Sequence, residues 1–163
     1  MNNIYLIGMP GCGKSTIGRI LSRSLGMAHI DADGFLEQKF GMSIPHIFET
    51  KGEDAFRQME TEALTELACK NNIIVSTGGG VVTRTHNKEI MKKSGTVVFI
   101  DSAPDTILGN SNLGGRPLLK DKSRIFELYN ARIDLYRDFA DITADNNGLI
   151  ETVVNTIIDK IDL

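Results

Sequence analysis

The sequence predicts an α/β protein in which helices cover both faces of a parallel sheet. Short β-rich runs alternate with amphipathic helical patterns from one end of the chain to the other. The first, third and fourth runs are almost continuously apolar, which is typical of strands that are buried on both faces. The length of 163 residues suits one domain. A domain of this size buries about 68–70% of the surface that its unfolded chain exposes, so its core needs no disulfide or structural metal.

Five runs are predicted to be strands, and they span residues 4–7, 29–31, 73–76, 97–100 and 142–143. A helix-compatible stretch follows the first strand at residues 16–25. Two further segments repeat apolar residues at helical spacing and are predicted to bury one helix face each. The first contains Phe56, Met59, Ala63, Leu64 and Leu67, and the second contains Leu149, Ile150, Val153, Val154, Ile157, Ile158 and Ile161. Residues 146–148, Asn-Asn-Gly, supply residues that favour N-caps just before the last helix.

Composition and cysteine usage limit the partners and the compartment. The formal net charge of −3 lacks the basic excess of proteins that bind nucleic-acid backbones. Cys12 and Cys69 have no Cys or His at metal-ligand spacing, which favours a reducing compartment. Cys69 falls in a helical stripe, so we expect it to be buried. No secretory pattern or membrane-span-length apolar run occurs, and we expect a cytoplasmic protein without nucleic-acid or membrane partners.

Residues 8–15, GMPGCGKS, match the phosphate-binding pattern G-x-x-x-x-G-K-[ST] between a strand and a helix. The glycines let backbone N–H groups converge on phosphate oxygens, and the helix N-terminus adds its positive dipole end. Lys14 is expected to reach the β- and γ-phosphates, and Ser15 to offer its hydroxyl to Mg²⁺. The alternative is a flexible loop that only caps a helix. Nucleotide binding is thereby assigned to Gly11, Cys12, Gly13, Lys14, Ser15 and Thr16, with Cys12 interpreted as a small residue that fits rather than a reactive thiol.

Two carboxylates follow the second strand. Alternation at an extended strand end would point Asp31 and Asp33 the same way, so that one could serve Mg²⁺ and the other a substrate hydroxyl. Phosphoryl transfer depends mostly on positioning and charge neutralisation, with a carboxylate that orients the attacking oxygen and accepts its proton. The alternative is that one of the aspartates caps the following helix.

An arginine between two glutamates and a run of glycines are further candidates. Arg57 lies one turn after Glu53 and three residues before Glu60, so the three share a helix face. Such a guanidinium is pre-oriented to grip an anionic ligand, although surface ion pairing would give the same spacing. Residues 78–80, three glycines, follow the third strand at the edge where ligands bind in α/β sheets, or they simply form a tight turn. No role is assigned to the histidines, which are His29, His46 and His86.

Together these motifs resemble the shikimate kinase family. The resemblance is carried by five motifs: the phosphate-binding loop at residues 8–15 (the P-loop), Asp31-x-Asp33, the segment from Gly52 to Glu60, the three glycines at 78–80 (the triple glycine), and the Arg-Pro-Leu-Leu run that begins at Arg116. It covers nearly the whole chain. Its specificity comes from the combination, because a P-loop alone occurs in many NTPases.

The resemblance implies one three-layer P-loop kinase domain over residues 1–163, with a five-stranded parallel sheet of order 2-3-1-4-5. It implies a substrate-binding segment at about 32–60 and a mobile lid at about 109–120. The implied reaction moves the γ-phosphate of ATP to the 3-hydroxyl of shikimate, a step toward chorismate and the aromatic amino acids, with Mg²⁺ as cofactor. We expect a monomer.

The resemblance also implies site residues. The catalytic residues are Asp33 as the base, Lys14, and Arg116, which would enter from the lid onto the phosphates. The shikimate-binding residues are Asp33, Arg57, Gly79 and Arg132, the two arginines neutralising the substrate carboxylate. The metal would be bound by Ser15 and, through water, by Asp31.

The lid departs from the family pattern. Seven residues before the Arg-Pro-Leu-Leu run the family usually has an arginine that packs on adenine, whereas this chain has Gly109. Residues 110–115 carry no charge, and we expect them to form a mobile loop. Two other functions stay open: a kinase for another small hydroxylated acid such as gluconate, and a non-catalytic nucleotide-binding module. Arg57, Gly79 and Arg132 argue against the first. A pure binding module would not need all of Lys14, Asp33 and Arg116, which argues against the second.

Overall fold

A computed structural model of the chain describes residues 2–110 and 118–161. Its strands are β1 (Asn3–Ile7), β2 (Ala28–Asp31), β3 (Ile73–Ser76), β4 (Gly95–Asp101) and β5 (Ile142–Asp145). Its helices are α1 (Lys14–Leu25), α2 (Ala32–Phe40), α3 (Ile44–Lys51), α4 (Glu53–Ala68), α5 (Thr85–Ser94), α6 (Pro104–Asn110), α7 (Leu118–Phe139) and α8 (Ile150–Lys160). A 3₁₀ turn spans Val81–Thr83.

All five strands are parallel and form one sheet of order β2-β3-β1-β4-β5. In the central strand, Tyr5 lies opposite Val75 on one side and Val97 on the other. Every residue of β1 and β3 is buried, as the apolar runs predict. The predicted α/β class, the strands and the sheet order are confirmed.

The connections place helices on both faces of the sheet. A parallel crossover is right-handed, so connections that run in opposite directions along the sheet lie on opposite faces. The step from β1 to β2 puts α1 on one face, where α8 later packs beside it. The connections from β2 to β3, from β3 to β4 and from β4 to β5 run in the opposite direction. They put α4, α5 and α7 on the other face, where α5 and α7 both contact β4. The result is a three-layer architecture.

A second apolar cluster stabilises the long connection between β2 and β3. Leu36, Ile47, Phe56 and Ala63 are buried together and join α2, α3 and α4. Phe48 packs on Phe56, with ring centroids 4.7 Å apart. The helices are therefore held as a unit, and that unit fixes where the first turns of α2 and α4 meet the sheet.

Several local predictions are corrected by the structure. The first helix begins at Lys14, two residues earlier than residues 16–25, because the P-loop glycine Gly13 occupies its N-cap position. Leu149 is not a core residue but is 72% exposed, since it takes the N-cap position of α8 with extended backbone. Cys69 is exposed rather than buried, because it lies at the C-cap of α4, beyond the last buried turn.

The first residue of the predicted loop at 110–115 is helical. Asn110 ends α6, and residues 111–115 lie outside the described residues, as do Arg116 and most of the predicted lid. In the two ranges that the structure describes, no helix has both the length and the apolar character needed to cross a membrane.

Candidate active site

A cleft opens at the carboxyl edge of the sheet, where the connections from β1 and β3 leave in opposite directions. Ligands bind at such switch points in open α/β sheets. The P-loop follows β1, and the triple glycine follows β3. Thr77 joins the two strand ends, because its N–H and its hydroxyl both donate to the Leu6 carbonyl, at 3.0 and 2.9 Å. The cleft measures about 490 Å³, and eight predicted site residues line it: Gly11, Gly13, Lys14, Ser15, Thr16, Asp31, Asp33 and Gly79.

The P-loop presents the N-terminus of α1 to this cleft. Gly13 caps the helix with a φ of 96°, a left-handed backbone that side chains disfavour. The N–H groups of the first helical turn have no partner inside the helix, so they are available to an anion. The Lys14 ammonium is buried under the loop, where it donates to the carbonyls of Gly8 and Met9 at 2.7 and 2.9 Å. This arrangement places donors and one positive charge together, as phosphate binding requires.

Side chains from other strands hold the loop in place. Asn146 donates to the carbonyl of Cys12 at 2.7 Å, and the Ser76 hydroxyl donates to that of Lys14 at 3.0 Å. The prediction that one of residues 146–148 caps α8 is wrong, because Leu149 takes the N-cap position. Asn146 instead bonds the P-loop. Cys12 is 3% exposed, with its sulfur 3.7 Å from the Lys14 ammonium, which agrees with a small residue that fits the loop.

A second pocket of about 440 Å³ adjoins the outer side of the P-loop. Thr106, Asn147 and Gly148 contribute to its wall, together with Gly11, Cys12, Gly13 and Thr16 of the loop. The Asn147 side-chain oxygen accepts from the Thr106 hydroxyl at 2.7 Å, which fixes the two residues against each other. The pocket therefore lies beside the P-loop.

The two aspartates occupy different positions from those predicted. Asp31 ends β2 and takes the N-cap position of α2, without a capping hydrogen bond from its side chain. Asp33 lies in the first turn of α2, so the two do not alternate along an extended strand. Both nevertheless line the cleft. Burial, and then the charge of Asp31, raises the pKa of Asp33 above its ordinary value.

A buried ion pair on α4 borders the cleft. Arg57 and Glu60 are 8% and 5% exposed, and Nη1 of Arg57 lies 2.8 Å from Oε1 of Glu60. The more distant Glu53 carboxylate lies 3.7 Å from Nη2. Burial raises the pKa of Glu60 although Arg57 opposes that shift. Among the described residues, two buried side-chain atoms lack a hydrogen-bond partner, and they are Nε of Arg57 and Oε2 of Glu60.

The triple glycine leaves room for these groups. A Cβ on Gly78 would lie 2.9 Å from both Oδ1 of Asp33 and Oε2 of Glu60. A Cβ on Gly79 would lie 2.6 Å from the Pro10 ring of the P-loop, and one on Gly80 would overlap the Arg57 guanidinium. Each of the three glycines therefore faces a specific neighbour that a side chain would displace.

Helix α7 packs against the triple-glycine turn. The hydroxyl of Tyr136 donates to the Gly79 carbonyl at 2.6 Å, and its ring stacks on Phe99 with centroids 5.1 Å apart. Burial raises the pKa of Tyr136 to about 12, while the charge of Arg132 and a hydrogen bond from it oppose that shift. The Arg132 guanidinium also acts on the Glu60 carboxylate. Arg132 therefore lies on the same side of the triple glycine as the Arg57 pair.

Oxygen groups in the cleft fit a magnesium ion. Mg²⁺ prefers oxygen ligands and is usually bound by one or two carboxylates, phosphates and waters. Ser15, Asp31 and Asp33 offer such oxygens on one cleft wall. No cluster of three or more His, Cys, Asp or Glu that could hold a metal occurs in the ranges 2–110 and 118–161.

Known proteins match both the chain and the fold. The family model for shikimate kinase matches residues 10–162. The chain belongs to the shikimate kinase family. A curated shikimate kinase from Clostridium botulinum (strain Alaska E43 / Type E3) is 43% identical over 157 residues, which cover 96% of this chain and 94% of that protein.

Solved structures agree with this family. The shikimate kinase from Acinetobacter baumannii in complex with shikimate has a TM-score of 0.89 and 34% identity, and the match covers 99% of this chain and 96% of that one. A gluconokinase from Sinorhizobium meliloti 1021 has a TM-score of 0.66 at 15% identity, with 97% and 90% of the two chains covered. At that identity the likeness shows the P-loop kinase fold alone.

We expect Asp33→Asn to stabilise the fold at neutral pH. The native pKa of Asp33 lies above its ordinary value, so the stabilising contribution of the carboxyl is fully present below about pH 4 and is lost as the pH rises through the native pKa. An amide does not titrate. The free energy of unfolding of the variant, minus that of the wild type, should therefore increase from about pH 4 to about pH 7.

Urea unfolding of both proteins across this pH range measures the difference. Glu151→Gln, which removes one negative charge from the exposed first turn of α8, is the control for net charge. A difference for Asp33→Asn that stays constant or decreases with pH would contradict the assignment of Asp33 as a destabilising buried carboxylate.

Proposed function

We propose that this chain transfers the γ-phosphoryl group of ATP to the 3-hydroxyl of shikimate, giving shikimate 3-phosphate and ADP. The observation that carries the proposal is the buried Arg57–Glu60 pair, which meets Asp33 at the triple glycine. Asp33 itself lines the same cleft as the P-loop. A charged pair of this kind is costly to bury without a ligand to complete it. Membership of the shikimate kinase family supports the substrate.

The nucleotide phosphates would bind the P-loop. The first-turn N–H groups of α1 and the Lys14 ammonium would hold phosphate oxygens, with Gly11, Cys12, Gly13, Ser15 and Thr16 forming the rest of the cradle. Ser15 and, through water, Asp31 would hold Mg²⁺, which when bound neutralises charge on the transferring phosphoryl group. The base and ribose would extend toward the outer pocket at Thr106 and Asn147.

The acceptor would bind between α4 and α7. The guanidinium groups of Arg57 and Arg132 would neutralise the shikimate carboxylate, because planar guanidinium groups match carboxylates bidentately. The unpartnered Nε of Arg57 and Oε2 of Glu60 supply a donor and an acceptor for further substrate groups. Gly79 would let the ring approach the backbone, and Tyr136 would keep that backbone in place.

Asp33 would be the general base. As the acceptor oxygen forms its bond to the γ-phosphorus, the bond from that phosphorus to the β-phosphate oxygen breaks and ADP leaves. The hydroxyl proton passes to the Asp33 carboxylate. The raised pKa of Asp33 makes it a stronger base than an ordinary aspartate. The positive charge of Lys14 opposes this shift and lowers the pKa of Asp33.

We also propose an oligomeric state, a compartment and two functional segments for this enzyme. A monomeric, cytoplasmic enzyme is the simplest form for a reaction between two small molecules. Residues 32–60 would form the acceptor-binding segment, and residues 109–120 would form a lid that brings Arg116 onto the phosphates. Gluconate is not favoured as the acceptor, because the gluconokinase likeness extends to the fold alone.

ADP release should depend on shikimate and on Asp33. A coupled assay with Mg·ATP should show steady ADP release with shikimate and none above background with gluconate. Asp33→Asn should lower kcat by about 10²–10⁴-fold, because an amide contacts the hydroxyl but cannot take its proton. Its Kd for Mg·ADP should stay within about twofold of the wild type, since the P-loop is unchanged.

Asp159→Asn, an exposed aspartate on α8, is the matched control and should keep wild-type turnover. Shikimate-independent ADP release would contradict the proposed acceptor. If Asp33→Asn keeps more than about a tenth of wild-type kcat, Asp33 is not the base.

Gly109→Arg should tighten ATP binding. Gly109 is exposed on α6, one turn after Thr106, and a Cβ there would meet nothing within 4 Å. An arginine could lie against the base, a contact that would improve affinity about twofold to thirtyfold. Shikimate affinity should stay unchanged. Gly109→Ala is the control, because it gives the same gain in helix propensity without a guanidinium.

Calorimetric titrations of ATP and of shikimate compare the wild type and the two variants. An ATP affinity for Gly109→Arg no better than that of Gly109→Ala would show that position 109 does not reach the base.

A further inference from the structure

Two consecutive hydrogen bonds link polar atoms of β2, β3 and the first residue of α1. Nε2 of His29, in the edge strand β2, lies 2.8 Å from Oγ of Ser76 in β3. That Oγ lies 3.0 Å from the carbonyl oxygen of Lys14, the first residue of α1. Ser76 is 1% exposed. Neither His29 nor Ser76 belongs to the sequence motifs of the site.

The chemistry of the groups fixes the direction of both hydrogen bonds. A carbonyl oxygen only accepts, so the single hydroxyl proton of Ser76 goes to Lys14. The Ser76 oxygen then accepts from the Nε2–H of His29. The two bonds run in the same direction, and in such a chain each bond polarises the next.

The absence of a side chain at Gly18 leaves space for these two hydrogen bonds. Gly18 is buried inside α1, where a glycine lowers helix stability relative to alanine. A Cβ at this position would lie 2.5 Å from Nε2 of His29 and 2.8 Å from Oγ of Ser76. An alanine would therefore displace both groups, so the backbone of α1 and the His29–Ser76 pair fit each other closely.

The last acceptor of these hydrogen bonds, the Lys14 carbonyl, belongs to a peptide unit at the phosphate site. The Lys14 carbonyl shares its peptide plane with the N–H of Ser15, which belongs to the first turn of α1 and has no partner inside the helix. Ser15 lines the main cleft. A hydrogen bond accepted by the carbonyl polarises the N–H of the same peptide and fixes the orientation of its plane.

We propose that His29 and Ser76 are positioning residues that orient and polarise the Ser15 N–H toward the nucleotide phosphates. Neither side chain touches a substrate, and His29 acts only through Ser76. The proposal rests on the proposed nucleotide site and extends it to two residues from other strands.

The test measures Mg·ADP affinity by calorimetry without shikimate. Ser76→Ala should weaken binding about threefold to tenfold, the effect of one neutral hydrogen bond. His29→Leu should weaken it about twofold to fivefold, because Ser76 then keeps its bond to Lys14 but no longer accepts one from His29. The double variant should match Ser76→Ala, because the proposal has His29 act on the loop through Ser76 alone. His29→Gln should restore binding to within about twofold of the wild type, since its amide donates from a similar position.

Two controls separate positioning from general destabilisation. Ser94→Ala removes a hydroxyl at the last residue of α5, just before the amino end of β4, where it bonds Tyr5 at 2.6 Å. This variant should leave the Kd for Mg·ADP unchanged. The Kd for shikimate should stay within about twofold of the wild type in every variant.

Unchanged Mg·ADP affinity in Ser76→Ala, additive losses in the double variant, or equal losses for shikimate and Mg·ADP would each overturn the proposal. Should His29→Leu fail to fold, Ser76→Ala and His29→Gln decide it alone. A failure of the proposed acceptor would instead appear as absent turnover with shikimate, and the Mg·ADP comparisons would still stand.

Discussion

The site depends on the absence of side chains in one turn. Where β3 ends, three successive glycines allow the P-loop proline, the Arg57 guanidinium and the carboxylates of Asp33 and Glu60 to approach the same stretch of backbone. A larger residue there would displace the Pro10 ring, the Arg57 guanidinium or the two carboxylates. The parallel sheet brings the strand ends to one edge, but the glycines set how close the two halves of the site lie.

That closeness has an electrostatic consequence. Lys14, Arg57 and Glu60 are all buried, and burial raises the pKa of both Glu60 and Asp33. Buried charges stabilise a fold only when their hydrogen bonds are complete, and here two polar atoms of the Arg57–Glu60 pair lack partners. The arrangement is better explained by a charged ligand than by stability. Perturbed carboxyl groups in a cleft are typical of sites that move protons.

The sequence predicted what depends on local spacing and missed what depends on distant contacts. The P-loop pattern and the i to i+3 spacing of Arg57 and Glu60 correctly placed groups that lie on one loop or one helix face. The sheet order came from a family resemblance and not from the residues themselves. The composition of residues 146–148 favours a helix cap, whereas Leu149 takes that position and Asn146 bonds Cys12, 134 positions away. His29 likewise shows its role only once Ser76 lies beside it in the sheet, and no local pattern encodes such a contact.

The central claim is that the glycine turn exists to seat Arg57 for an anionic acceptor, and Gly80→Ala tests it most directly. Gly80 has a negative φ that alanine adopts freely, so the added methyl acts mainly by displacing the Arg57 guanidinium. Calorimetry should find shikimate affinity reduced by about tenfold or more, the effect of one charge-assisted contact, with Mg·ADP affinity unchanged. Wild-type shikimate affinity in a correctly folded Gly80→Ala variant would contradict the account.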